Sequence, residues 1–185
     1  MEKDGTKKDG LFARTDFSTL QKCAQTRDIH VDWYRKSRDI LVAYGHIVDY
    51  AHDIEVLAEV DMKEDKLVDL EFKLNTFTEA KCLMICDVAQ KMIGMPVAYG
   101  VEDRIRQYLG GACGCINLCN LMIDTMDALF FIYHINRVLD GEITFPEYGQ
   151  ILTRERKDSC LTFNFDIEDA GYAGDFKGNR DVQRF

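Results

Sequence analysis

Between residues 29 and 77 apolar and polar positions alternate along the chain. "IHVDWYRKS" changes sides at nearly every step, and "LVDLEFKLNTF" puts Leu70, Phe72 and Leu74 on one side with Glu71 and Lys73 on the other. A period of two is the signature of a strand with one buried face. "DILVAYGHIVDYAHDIEVLAEVDM" is rich in β-branched and aromatic residues, which suit strands. The polar "MKEDK" reads as a hairpin turn. Together these stretches predict three to four antiparallel strands joined as a meander, with one face buried.

Beyond residue 77 the apolar spacing lengthens to three and four, the helical period. "TEAKCLMICDVAQKMIG" offers Thr78 as a cap, Glu79 in its first turn and Gly94 at its end. Cys82, Ile85, Ala89 and Met92 fall on one face. A shorter helix over "VAYGVEDRIRQYLGG" stops at Gly110 and Gly111. A long third helix begins near Cys113–Asn117 and runs to about Leu139, with Leu118, Leu121, Met122, Met126, Leu129, Ile132, Tyr133 and Val138 as its apolar face. Past Gly141, "ITFPEYGQIL" and "SCLTFNFDI" each predict a short strand. The order predicts an α+β fold, a small antiparallel sheet followed by three helices packed on one face, the last helix long.

The ends are polar. Residues 1–27 read as a lead-in, within which "DFSTLQKCAQ" predicts a short helix capped by Asp16 or Ser18. Residues 28–165 read as a single domain and 166–185 as a glycine-rich, mobile tail. The chain has 185 residues, 46% hydrophobic and 30% charged, a globular balance. Its net charge of -9 argues against nucleic acid and anionic membrane surfaces as partners. The longest apolar stretch, "LMIDTMDALFFIYHI", carries Asp124 and Asp127, so no membrane span is expected. The start, "MEKDGTKKDG", has no apolar core after it, and the cytoplasm is the expected compartment.

Seven cysteines change the picture. In a reducing compartment they read as core residues, metal ligands or reactive thiols rather than disulfides. Cys82 and Cys86 are four apart, as are Cys115 and Cys119, and on a helix that spacing sets two thiols on one face. Two such thiolates can chelate a soft metal. Cys113 and Cys115 flank Gly114 at the start of the long helix, where free N–H groups and the dipole favour a thiolate. Gly110, Gly111 and Gly114 let the backbone turn tightly and approach a ligand or cofactor. Cys86 and Cys119 read first as core residues, and Cys115 as functional. Cys23 has no companion. His52, followed by Asp53 on a predicted strand, is either a metal ligand with a carboxylate fixing its tautomer or simply hydrogen-bonded. His134 reads as a core residue, and His30 and His46 have no informative context. No nucleotide-binding glycine motif, nucleophile elbow or HExxH is present.

These residues resemble an uncharacterised bacterial family of unknown function. Its marker, Gly-Gly-x-x-Gly-Cys-Thr-His-Leu at the start of a long helix, is matched by Gly110, Gly111, Ala112, Cys113, Gly114, Cys115, Ile116, Asn117 and Leu118. The His-Asp pair is matched by His52 and Asp53, the cysteine before a helix-ending glycine by Cys82 and Gly94, and the Asp-Ser-Cys by Asp158, Ser159 and Cys160. The resemblance covers roughly residues 30–165. It departs at Ile116-Asn117, where the family has Thr-His. The layout is also distantly similar to NifU-like iron–sulfur scaffolds, which implies a cluster or zinc held by cysteines and one Asp or His. On that reading Cys82, Cys115 and His52 are ligands, completed by Cys86, Cys113 or Cys119.

Three functions follow. The first is a metal or iron–sulfur protein, a scaffold or carrier. The second is a small enzyme with Cys115 as nucleophile and His52 as base, or with an open metal, acting on a small molecule. The third is a structural domain that binds another protein, or forms a homodimer through the long apolar helix.

Overall fold

Period-two alternation becomes a four-stranded sheet in the computed structural model, which describes residues 25–97 and 100–155. Strands β1 (Asp28–Arg35), β2 (Ile40–Val48), β3 (Asp53–Asp61) and β4 (Lys66–Thr76) lie in the order β1-β2-β3-β4, every pair antiparallel. Leu41, Ala43 and Ile47 of β2 and Ile54, Val56, Ala58 and Val60 of β3 are buried on one face. The β3–β4 register shifts twice, at Asn75 and near the start of β4. Leu67 and Leu70 are three apart and would face opposite ways, yet both are buried. A bulge in β4 resolves this, because Val60 pairs with Leu67 while Glu59 pairs with Asp69, leaving Val68 unpaired.

The helical region is more divided than the sequence predicts. Residues Ala80–Ile85 form a 3-10 helix, and α1 (Cys86–Met92) follows it. Glu79, not Thr78, stands at the start, and no side chain caps it. Helix α2 (Val101–Leu109) follows, entered through Gly100 in the left-handed region. The expected single long helix is α3 (Ile116–Asp127) and α4 (Leu129–Leu139), broken at Ala128. The Trp33 indole donates to the Thr125 carbonyl at 2.9 Å beside this break, and an inserted side chain is a recognised cause of helix kinks.

"ITFPEYGQIL" is not a strand but α5 (Phe145–Glu155). The overlooked signal is Thr-x-x-Glu. The Glu147 carboxylate accepts from the Thr144 amide at 2.6 Å, and the Glu147 amide faces Thr144 Oγ1 at 3.4 Å. This is a capping box, and Pro146 is tolerated in the first turn. Thr144→Ala is expected to cost about 1 kcal/mol, read as a lower thermal midpoint with reduced helical circular dichroism. The predicted "SCLTFNFDI" strand and "DFSTLQKCAQ" helix, with Cys23, Cys160 and the tail, lie outside the described residues.

Helix α3 lies across the sheet. Leu118, Cys119, Leu121, Met122 and Met126 are buried under it, with Leu129 of α4. Close approach depends on Gly45 of β2, where an added Cβ would stand 2.2 Å from Thr125 Oγ1 and 3.2 Å from Leu121 Cδ1. Ile116–Leu139 is the one stretch among the described residues long and apolar enough to cross a membrane by length and composition alone. Its apolar face over Leu118–Leu129 is occupied by the chain's own sheet. Beyond it α4 is tied back through Arg35 with Asp140 and Tyr133 with Asp39.

Candidate functional site

The β2–β3 turn is built on one carboxylate. Asp49 follows β2, and its Oδ1 accepts the backbone amides of Ala51 at 2.9 Å and His52 at 3.0 Å. An aspartate accepting from the residues two and three ahead is an Asx-type turn. The same oxygen meets His52 Nδ1 at 3.0 Å. Oδ2 takes both Nε and Nη2 of Arg27, at 2.9 and 2.5 Å. The side chain is 1% exposed yet has donors on both oxygens. The Ala51 amide, aided by His52 and Arg27, holds this carboxyl far below the usual carboxylate range against the opposing effect of burial.

Ionised Asp49 keeps the imidazole hydrogen on Nδ1 and leaves Nε2 as acceptor. The Asn117 side-chain amide lies beside the ring, 3.1 Å from Nε2 and 3.5 Å from Nδ1. Asn117 lies in the first turn of α3, two residues after Cys115, the residue that precedes the helix. Turn and helix start, 65 positions apart in sequence, thus meet at His52. The structure corrects one expectation here and identifies the carboxylate. His52 sits in the turn, one residue before β3, and its carboxylate is Asp49. Asp53 instead accepts from His46 Nε2 at 2.9 Å and Asn75 at 3.1 Å.

The cysteines divide. Cys115 is half-buried and takes an extended conformation ahead of α3. No side chain caps that helix, so the N–H groups of its first turn are open to solvent or a ligand. Cys119 is buried, and burial pushes its thiol up. Cys86 is half-buried, its thiol pushed up by burial and then by Asp87, and its sulfur lies 3.7 Å from the Phe72 carbonyl. Both fit the core reading. Cys82 is half-buried and Cys113 exposed. Cys82 and Cys86 straddle the junction of the 3-10 helix and α1, and four residues of 3-10 helix rotate a side chain about 120° from its start, against about 40° in an α-helix.

The glycines serve the chain's own turn. The amides of Gly110, Gly114 and Cys115 donate to Arg106, Gly111 and Leu109 carbonyls, so those three N–H groups are used within the turn. A Cβ on Gly114 would stand 2.0 Å from the Leu109 carbonyl oxygen, and Gly111 has φ +73°. Among the described residues no group of three or more His, Cys, Asp or Glu side chains is placed to hold a metal ion. His52, Cys82, Cys86, Cys113, Cys115 and Cys119 therefore do not assemble there the three or four donors of a zinc or iron–sulfur centre.

Comparison with known families decides the relationship. Residues 19–130 match the family described as a protein of unknown function, DUF2889. The chain belongs to the DUF2889 family. No curated protein matches it. No solved structure matches it either. The DUF2889 segment holds the whole sheet, α1–α3 and every member of the Asp49–His52–Asn117 array. It ends at Phe130, so most of α4 and all of α5 lie beyond it. Arg27, Asp49 and Asn117 were not singled out as site residues from sequence. The Asp-x-x-His spacing of the turn is the signal that finds Asp49.

Proposed function

We propose that this DUF2889 protein is a small acid–base enzyme acting on a small molecule, with His52 as the proton-transfer group and Cys115, two residues before its Asn117 contact, as the thiol it serves. The observation that carries the reading is the array itself. A buried carboxylate fixes Nδ1, and the ring lies against Asn117 in the first turn of a helix that no side chain caps. Asp49 is the positioning residue, because it orients the ring and fixes its tautomer. His52 can take a proton at Nε2 from a substrate or from the Cys115 thiol. The helix start can then stabilise negative charge on sulfur or on a bound oxyanion. Asn117 stands where the family resemblance places a histidine. An amide there favours a hydrogen-bonded Nε2 over a two-imidazole metal pair.

The test is the alkylation rate of Cys115 by iodoacetamide across pH 5–9, site-resolved by mass spectrometry. His52→Gln and Asp49→Asn are each expected to slow Cys115 roughly tenfold or more at neutral pH, while Cys113 keeps its rate. Unchanged Cys115 kinetics in folded His52→Gln would overturn the proposal. Stoichiometric zinc or iron in protein purified without oxygen, lost in Cys115→Ala, would establish the metal or iron–sulfur reading instead.

A further inference from the structure

A concavity lies away from His52, under the C-terminal helices. It encloses about 270 Å³ between the β3–β4 turn, the start of α2, the α3–α4 junction and the end of α5. That is close to the lower end of the volumes that take small ligands, about 300 Å³. Met62, Val101, Met126, Phe130 and Tyr133 give it an apolar and aromatic wall.

The charges are unequal. Asp65, Glu102, Asp127 and Glu155 line it against two guanidiniums, Arg137 and Arg154. Both guanidiniums are engaged, and so are two of the carboxylates, Asp127 and Glu155, which leaves Asp65 and Glu102 to meet a ligand. Arg154 Nε donates to Glu155 at 2.8 Å. Arg137 Nε reaches Glu142 at 3.4 Å, and its guanidinium carbon lies 5.7 Å from the centre of the Tyr133 ring. His134 adds no positive charge at neutral pH, since burial and then Arg137 hold its imidazole below the ordinary histidine range. Asp65 lies under pressure of the opposite kind. Partial burial of the carboxyl, then Glu155 and Asp61, push it up, although the residue as a whole is exposed in its turn. An arriving cation would relieve that repulsion.

We propose that this cavity binds a small organic cation, a primary amine on a compact apolar or aromatic body, between the carboxylates and the Phe130–Tyr133 wall. Carboxylates recognise the ammonium through charge-assisted hydrogen bonds. The apolar side chains take the body, and an aromatic ring attracts a cation through its face. The site combines two parts of the chain. Met62, Asp65, Val101, Glu102, Met126, Asp127 and Phe130 fall within the family segment, whereas Tyr133, Arg137, Arg154 and Glu155 fall beyond it. This chain's C-terminal helices thus close a concavity that the family segment leaves open, and its ligand is independent of Cys115.

Calorimetric titration of the full chain with 2-phenylethylamine, and in parallel with 3-phenylpropionate, tests the charge and the shape together. The amine is expected to bind and the carboxylate not to. The combined Asp65→Asn and Glu102→Gln substitution is expected to weaken the amine at least tenfold. Asp65 has φ +51°, and asparagine tolerates that conformation as aspartate does, so the turn survives the change. An unchanged thermal midpoint verifies this. Cys115→Ala should leave amine binding intact. Equal binding of the two probes, no binding of the amine at millimolar concentration, or indifference to the double substitution would each overturn the proposal.

Discussion

Gly45→Ala lowers the thermal midpoint by roughly 3–10 °C, the consequence of about 1–3 kcal/mol of overpacking. The new methyl would meet Thr125 Oγ1 at 2.2 Å. That hydroxyl cannot swing aside freely, because it is buried and donates to the Leu121 carbonyl at 2.7 Å. Helix α3 must therefore lift from β2, and the hydrophobic contacts of Leu121 and Met122 loosen with it. Gly149→Ala is the control. It lies within α5 with nothing within 4 Å of its added Cβ, so alanine should be neutral or stabilising. Differential scanning calorimetry of the two variants side by side checks the claim. An unchanged midpoint for Gly45→Ala would mean that α3 does not sit on the sheet as described.

Asp49→Ala is expected to destabilise at least as much, and it also disorders the site. It strands two backbone amides and the His52 ring, all part-buried, and the exposed Arg27 guanidinium, and donors shielded from water without acceptors are costly. The pH dependence has a definite sign. The folded carboxyl titrates far below its unfolded value of 3.8, so the unfolded chain takes up the proton first. The stability it adds is therefore complete above that unfolded value and is lost as pH falls through the folded one. Urea midpoints of the native protein should fall steeply below about pH 4, and those of Asp49→Ala should start lower and fall less. Long-range ¹⁵N–¹H spectra should show the Nδ1–H tautomer of His52 in the native protein and a mixture in the variant. Parallel midpoint curves would show that Asp49 is not the group responsible.

The sheet was legible because alternation is a strong, local signal. Leu70 and Phe72 were read onto the buried face from spacing alone, and both are there. The bulge at Val68 was not legible, since Leu67 breaks the period and only pairing shows how the chain absorbs the break. The break at Ala128 was hidden for a related reason. Its apolar neighbours continue the helical period, and the distant Trp33 meets the Thr125 carbonyl beside it. The α5 error came from reading "ITFPEYGQIL" as a short strand, when Thr144 and Glu147 already spelled a helix start.

Legibility of the site followed the same division. Cys115 was placed at a helix start from its glycine frame, and it stands there. The glycines shape the chain's own turn, and sequence alone does not separate that from turning toward a ligand, because both require the same residue. Asp49 was missed since an aspartate in a polar turn is ordinary in sequence. What sets it apart is the convergence of Arg27, Ala51 and His52 on two oxygens. The meeting of His52 with Asn117 depends on how α3 crosses the sheet, which no spacing within either segment encodes.

Gly45 and Thr125 are 80 positions apart in the chain, and that separation has a cost during synthesis. Each strand pairs only with its sequence neighbour, so the meander can close as it emerges from the ribosome. Its inner face then waits for α3. At roughly 5–20 residues per second, Leu41, Ala43 and Ile47 stay without their helix for roughly 4–16 seconds per molecule. During that interval the half-made sheet presents a bare apolar surface, and the nascent chain is a client for whatever shelters such surfaces in the cell.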